Sequence, residues 1–278
     1  MTDDPATIKF TKMHGCGNDF IIVDTALNHI ADPGRAALTW CDRHKGIGAD
    51  GLVLIDRAPE GANADYTMRI FNADGSEGLM CGNASRCIGR YLRERGYTAA
   101  SSIDLLTRSG VKRLVLTVDV DGRVESVAVD MLEPQREVPS LYRPDLAGDL
   151  PEGTFVAMGN PHYVMFVDEV ESVDVASIGP RLERHRAFPE RCNIEFATIT
   201  PEGIRLRVWE RGSGITLACG TGACATAVAA AATSRSARRA RVLMDGGVLS
   251  VDWREADGHV ILSGSATFVF DGELLPLV

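Results

Sequence analysis

Two short Cys-Gly steps, Cys81-Gly82 and Cys219-Gly220, are set about half the chain apart, and each leads into a helix-like run. The first reads Met80-Cys-Gly-Asn-Ala and the second Ala218-Cys-Gly-Thr-Gly, and Ser76 and Ser213 precede them in Gly-containing turns. A second echo runs ahead of the first. Met13-His-Gly-Cys-Gly-Asn18 and Met158-Gly-Asn160 each precede an apolar strand ending in Val-Asp, at Asp24 and Asp168. The order is the same in both halves: Gly-Asn, strand, and much later Cys-Gly, helix. Such an ordered repeat predicts two domains of one architecture related by a pseudo-twofold axis. Few folds admit that constraint.

Local patterns fill in the halves. Strands are expected at Ile8–Met13, Phe20–Asp24, Val53–Asp56 and Tyr66–Phe71, and a helix from Asn83 to Arg95 with Gly96 closing it. Val111–Val118 and Val124–Val129 read as a hairpin turning at Asp121-Gly122. Periodicity breaks into proline and charge over Glu133–Gly153, and the crossover between domains is placed near there. Further strands are expected at Phe155–Met158, Tyr163–Val167, Ile194–Ile199 and Ile204–Glu210, then a helix from Thr221 and a strand-and-turn tail to Phe270. The fold class is therefore α/β, each domain a curved, largely antiparallel sheet around one central helix. The expected domains are 1–125, with 266–278 returning to it, and 126–265.

Composition narrows the partners. The net charge of -9 gives no general attraction to nucleic acid or to an anionic membrane, and the basic stretch Arg235–Arg241 reads as the end of a helix. The opening segment is acidic and lacks an apolar signal core, and the uncharged stretch Gly212–Ser234 is too rich in Ala, Gly and Thr for a membrane span. Seven cysteines without a secreted spacing imply reduced thiols in a cytoplasmic protein.

A cysteine just ahead of a helix meets unpaired N–H groups and the positive end of the helix dipole. That setting lowers a thiol pKa and also binds a carboxylate. Two such thiols, one from each half, suit inversion at carbon: one removes an α-proton and the other returns a proton to the opposite face. Cys81 and Cys219 are thus the candidate acid–base pair. Cys87 and Cys224 fall inside the helices, and these two with Cys41 and Cys192 read as packing residues; Cys16 lies in a turn that could line the site.

Other chemistries fit less well. Gly46-Ile-Gly-Ala-Asp-Gly51 matches the dinucleotide pattern but is followed by strand-like Leu52-Val-Leu-Ile, so it reads as a loop near the site. The cysteine spacings do not suit zinc, and none of the four lysines (Lys9, Lys12, Lys45, Lys112) has the context of a pyridoxal phosphate Schiff base. No cofactor and no metal are expected. A non-catalytic amino-acid-binding protein and a racemase of another amino acid remain as alternatives.

The motifs resemble the diaminopimelate epimerases over nearly the whole chain. The matching segments are Lys12-Met-His-Gly-Cys-Gly-Asn-Asp-Phe20, Gly46–Gly51, Phe71-Asn-Ala-Asp-Gly-Ser-Glu77, Met80-Cys-Gly-Asn83 and Gly159-Asn-Pro-His162. Cys192-Asn-Ile-Glu-Phe196, Trp209-Glu-Arg-Gly-Ser-Gly214 and Ala218-Cys-Gly-Thr-Gly-Ala-Cys224 complete the set. The resemblance implies interconversion of LL- and meso-2,6-diaminopimelate in lysine biosynthesis by two cysteines without pyridoxal phosphate. It implies that Cys81 and Cys219 are the bases and that Gly82, Asn83, Gly220 and Thr221 cradle the reacting carboxylate. Asn18, Asn72, Asn160, Asn193 and Arg211 would hold the substrate, Arg211 at its distal carboxylate, with Glu210 accepting its ammonium and His162 supporting the reacting centre. The partner is then a small amino acid, with no nucleic acid or membrane, and a homodimer is an admissible assembly. The chain departs from the family's commonest pattern at Ala84, where glycine is usual. Proline and hydroxyproline racemases usually carry histidine where this chain has Asn83.

Overall fold

The segments rich in Val, Ile and Leu with period-two burial form strands, and the structure, a computed structural model, describes residues 7–275 of the chain. Contacts divide it into two units, one reaching Val129 and resuming at Ser265, the other spanning Asp130–Gly264.

The first unit runs β1 (Ile8–Gly15), β2 (Asn18–Asp24), α1 (Pro33–Trp40), β3 (Gly51–Arg57), β4 (Tyr66–Asn72), β5 (Glu77–Gly78), α2 (Gly82–Glu94), β6 (Ser102–Thr107), β7 (Gly110–Val118) and β8 (Val124–Asp130). β1 pairs antiparallel with β2, β2 parallel with β3, and β3 antiparallel with β4. β4 then takes β5 antiparallel and β6 parallel, and β6–β7–β8 form an antiparallel meander.

The second unit runs β9 (Thr154–Ala157), β10 (Pro161–Phe166), α3 (Val175–Glu183), β11 (Asn193–Thr200), β12 (Gly203–Glu210), β13 (Gly214–Ile215), α4 (Gly220–Ala232), β14 (Arg239–Met244), β15 (Gly247–Trp253) and β16 (Val260–Gly264). Its pairings repeat the first set in order and in sense: β9–β10 antiparallel, β10–β11 parallel, β11–β12 and β12–β13 antiparallel, β12–β14 parallel, then β14–β15–β16 antiparallel. The internal echo of the sequence is thus a repeat of a complete strand-and-helix topology. A last strand, β17 (Thr267–Leu274), lies antiparallel to β1 in the first unit.

Each unit buries one long helix. α2 packs on β1 and β7, and α4 touches strands from β9 to β16. α4 is almost all Ala, Gly, Thr, Val and Cys, and ten of its 13 residues are buried; a helix apolar on all sides belongs inside a core. α2 is buried to the same extent but carries Arg86 with no exposure at all, its Nε donating to the Ser265 carbonyl at 3.3 Å.

The other face of each sheet carries a shorter helix. Ile21, Val23, Leu52, Leu54 and Phe71 pack with Ala37 and Trp40 of α1. Tyr163, Met165, Ile194 and Phe196 pack with Val175 and Leu182 of α3. These two helices were absent from the sequence reading, which expected one helix per half. α1 is eight residues long and opens on Asp32 as N-cap with Pro33 behind it, so proline and glycine hide its start. α3 contains Pro180 next to Gly179, two residues that read as a break. Gly179 is required by packing, because a Cβ there would stand 2.5 Å from Cγ of Trp209. β5, β6 and β13 were also not foreseen. Among the described residues no helix is long and apolar enough to cross a membrane.

Candidate active site

Cys81 is the N-cap residue of α2, in extended conformation (φ -143°, ψ 122°), and its side chain makes no capping bond. Its Sγ lies 3.8 Å from Oδ1 of Asn18, which also accepts a 3.0 Å hydrogen bond from Nδ2 of Asn83. Asn18 follows the β1–β2 turn, where Cys16 and Gly17 both take positive φ. A charged network fixes it from behind. Nδ2 of Asn18 donates to Asp50 at 2.8 Å, and Asp50 is held by Arg43 at 2.8 Å. Arg43 also grips both oxygens of Asp19, at 2.7 and 3.1 Å, while buried Lys12 reaches Asp19 at 2.8 Å. Burial works against ionisation of Asp19, but Arg43 and Lys12 outweigh it and hold that carboxyl far below the usual range.

Asp50 belongs to the Gly46–Gly51 segment. That segment is therefore a loop beside Cys81, as the strand after it suggested. Buried Asn83 leaves Oδ1 without a partner among the described residues, and Ala84, fully buried in the first turn, continues the helix without interruption. Asn72 pairs with Gly51, next to Asp50, across β3 and β4. Its Nδ2 donates to Oγ of Ser76 at 2.9 Å within the turn after β4.

Cys219 occupies the equivalent position as N-cap of α4 (φ -122°, ψ 110°). Its Sγ accepts from the Gly222 amide at 3.4 Å and lies 3.5 Å from Oγ1 of Thr221. The expectation of an acidified thiol fails here. Burial pushes the Cys219 thiol well above its ordinary value, and the negative charges of Glu210 and Glu195 add to that. The bonds from Thr221 and Gly222 act the other way and are outweighed. Desolvation and two carboxylates overcome one helix N-terminus.

The remaining residues of the second unit form two small groups. Asn193 spends its amide on the fold: Nδ2 donates to the Pro161 carbonyl and Oδ1 accepts from the Arg211 amide, both at 2.8 Å. Arg211 in turn gives Nη1 to the Glu190 carbonyl at 2.7 Å. Glu210 is bonded by the Thr216 hydroxyl. His162 has no exposure, and both ring nitrogens are engaged, Nδ1 by Glu195 at 2.6 Å and Nε2 by Asn160 at 2.9 Å. A histidine so enclosed acts through its neighbours. Gly220 and Thr221 form the first turn of α4.

Glu195, Asp50, Arg43 and Gly222 were missed as site residues. Glu195 left the clearest signal, a carboxylate between Ile194 and Phe196 in an otherwise apolar strand. Among the described residues no cluster of His, Cys, Asp and Glu is placed to hold a metal ion.

Residues 10–137 and 154–269 match the family model described as diaminopimelate epimerase. A diaminopimelate epimerase of Phocaeicola vulgatus is 53% identical over 279 residues, covering 96% of this chain and 98% of the relative. That of Bacteroides thetaiotaomicron is 52% identical over 269 residues, with 96% and 98% covered. Among solved structures, a PhzF-family phenazine biosynthesis protein of Bacillus anthracis superposes with a TM-score of 0.73 at 17% identity, covering 97% of this chain and 99% of that one. A hydroxyproline epimerase of Agrobacterium vitis gives 0.72 at 16% identity, covering 98% and 93%. These two likenesses establish the shared two-domain α/β fold alone. Identity near one half over the full length decides the family: the chain belongs to the diaminopimelate epimerases.

Proposed function

We propose that the protein interconverts LL- and meso-2,6-diaminopimelate, with Cys81 and Cys219 acting on opposite faces of one α-carbon. The observation that carries the reading is the equivalent placement of the two thiols, each the N-cap of a buried 13-residue helix in a repeated topology. In the resting enzyme Cys219 holds its proton, for the reasons of burial and charge given above. The pair needs one proton between them, so Cys81 supplies the thiolate. It takes the α-hydrogen as a proton, the electron pair passes onto the α-carbon and its carboxylate, and Cys219 S–H delivers a proton to the other face. Cys81 is then the thiol and Cys219 the thiolate, ready for the reverse reaction.

The developing negative charge is met by the first-turn N–H groups of α2 and α4, through Gly82, Asn83, Gly220 and Thr221. Asn18, Asn72 and Asn160 offer amides to the substrate, and Asn193 acts by holding the backbone of Arg211. The guanidinium of Arg211 keeps donors beyond its bond to Glu190 and pairs with the distal carboxylate. Glu210, with one oxygen bonded to Thr216, accepts from the substrate ammonium.

Incubating the reduced protein with LL-diaminopimelate in D2O, without pyridoxal phosphate or metal, tests this. The meso isomer and deuterium at the α-carbon are expected. Absence of exchange with this substrate, together with exchange of histidine, lysine or hydroxyproline, would replace the substrate assignment.

A further inference from the structure

Glu195 lies on β11 between Ile194 and Phe196, both of which pack toward α3. Alternation along a strand sends its carboxylate to the opposite face, where α4 begins. The contact is close: a Cβ on Gly222 would stand 3.0 Å from Oε1 of Glu195 and 3.2 Å from Sγ of Cys219. Glu195 and His162 are both fully buried, and Oε1 lies 2.6 Å from Nδ1 of the imidazole. The far nitrogen, Nε2, is 2.9 Å from Oδ1 of Asn160, a half-buried residue.

The proton count fixes the direction of this chain of bonds. A buried carboxyl and an imidazole at hydrogen-bond distance share one proton in one of three ways: acid and neutral ring, or carboxylate and imidazolium, both with a hydrogen on Nε2, or carboxylate and a ring protonated on Nδ1 alone, with Nε2 bare. Nε2 faces an amide oxygen, which only accepts, and that contact fits the two arrangements that keep a hydrogen on Nε2. Burial raises the Glu195 carboxyl, with the nearby Glu210 adding to the rise and His162 opposing it. Cys219 and Cys192 are the other titratable groups that feel its charge.

We infer that Glu195 is a positioning residue which, through the His162 ring, fixes the Asn160 amide so that its NH2 end points away from the ring as a donor to an anionic oxygen of the substrate. This role rests on the reaction proposed above, since it is the substrate carboxylate that Asn160 would meet.

Leucine and glutamine at this position separate the role from a merely structural one. In E195L the ring loses its Nδ1 partner, the Nε2 hydrogen is no longer dictated, and the Asn160 amide is released. Loss of a hydrogen bond to a charged group then raises KM for diaminopimelate by roughly tenfold or more, with kcat changed by less than about threefold. Simple damage to the fold would lower the active fraction and leave KM where it was. In E195Q the side-chain NH2 donates to Nδ1 and preserves Nε2–H, so KM is expected within about threefold of the parent. An unchanged KM in E195L, or an E195Q variant as impaired as E195L, would overturn the inference.

A second measurement needs neither variant nor turnover. Nitrogen-15 NMR of the parent protein should find a hydrogen on His162 Nε2 at both pH 6 and pH 8, and an unprotonated Nε2 at either would also overturn it. A parent protein that shows Nε2–H but does not epimerise diaminopimelate would refute the proposed substrate while leaving the amide placement standing.

Discussion

Replacing Gly222 with alanine should separate activity from stability. The added Cβ would lie 3.2 Å from Sγ of Cys219 and 3.0 Å from Oε1 of Glu195. Ordinary contacts of this kind sit near 3.5 to 4.0 Å, so the thiol must retreat by roughly 0.5 Å. A displacement of about 1 Å costs on the order of a hundredfold in rate, and half of that corresponds to roughly tenfold in kcat. The same substitution favours folding, because glycine inside a helix costs up to about 1 kcal/mol relative to alanine. The close contacts with Sγ and Oε1 oppose that gain, and the amide that donates to Sγ is retained. Initial rates of meso-diaminopimelate formation and thermal melts read out both quantities. A G222A enzyme with kcat within twofold of the parent would show that the position of Cys219 is not critical. One that lost several kcal/mol would show that the backbone, and not the thiol, yields to the methyl group.

Three further outcomes follow from the same geometry. C81A and C219A should each lower epimerisation by about a hundredfold to ten-thousandfold, measured as loss of meso product, because each removes one of two proton carriers. D50N should let the Asn18 amide turn and lower kcat/KM roughly tenfold, whereas R43A, which touches only the outer end of the network, should cost less than about threefold. Urea titrations should show the protein losing stability in alkali. Cys87 is pushed up to about 12 by burial, so its contribution is complete below the unfolded thiol value near 8.5 and declines as pH rises toward the folded value. Between pH 8 and 10.5 the loss assignable to Cys87 is about 2 to 3 kcal/mol, and C87A should abolish that share.

Much of the architecture was legible because the chain repeats itself. The Cys-Gly and Gly-Asn echoes mark equivalent points of two sheets, and the hairpin at Asp121-Gly122 forms with Gly122 at positive φ. The helices α1 and α3 were hidden because proline and glycine serve packing there, as Trp209 against Gly179 illustrates. In the site, residues carried by short motifs were legible. Glu195 and Asp50 also lie inside such motifs but drew no role from them, because their contacts are with side chains of distant segments. The thiol chemistry was only half legible. A helix N-terminus can be read from spacing, but the burial and carboxylates that govern Cys219 come from β11 and β12.

The repeat therefore supplies equivalent backbone positions while leaving the electrostatics of the two thiols different. Beside Cys81 lies the Asn18 amide, held by Asp50 in a network in which Lys12 and Arg43 offset Asp19 and Asp50. Around Cys219 burial is the largest cause of its raised proton affinity, and Glu210 and Glu195, the latter paired with His162, add to it. On the proposed mechanism, a pair that holds one proton between two chemically identical groups takes its resting state from such a difference. Had both sites kept the same surroundings, thiol and thiolate would be distributed equally and half of the molecules would meet a given epimer with the wrong partner charged. On that mechanism the burial of Cys219 and the charge of Glu210 remove the degeneracy. Supplying Cys219 with a positive neighbour should accordingly slow the direction in which it donates, and an E210Q variant, which removes one of its two carboxylates, should move the high-pH limb of that direction to lower pH. A limb that stayed in place would mean that burial alone holds the proton on Cys219.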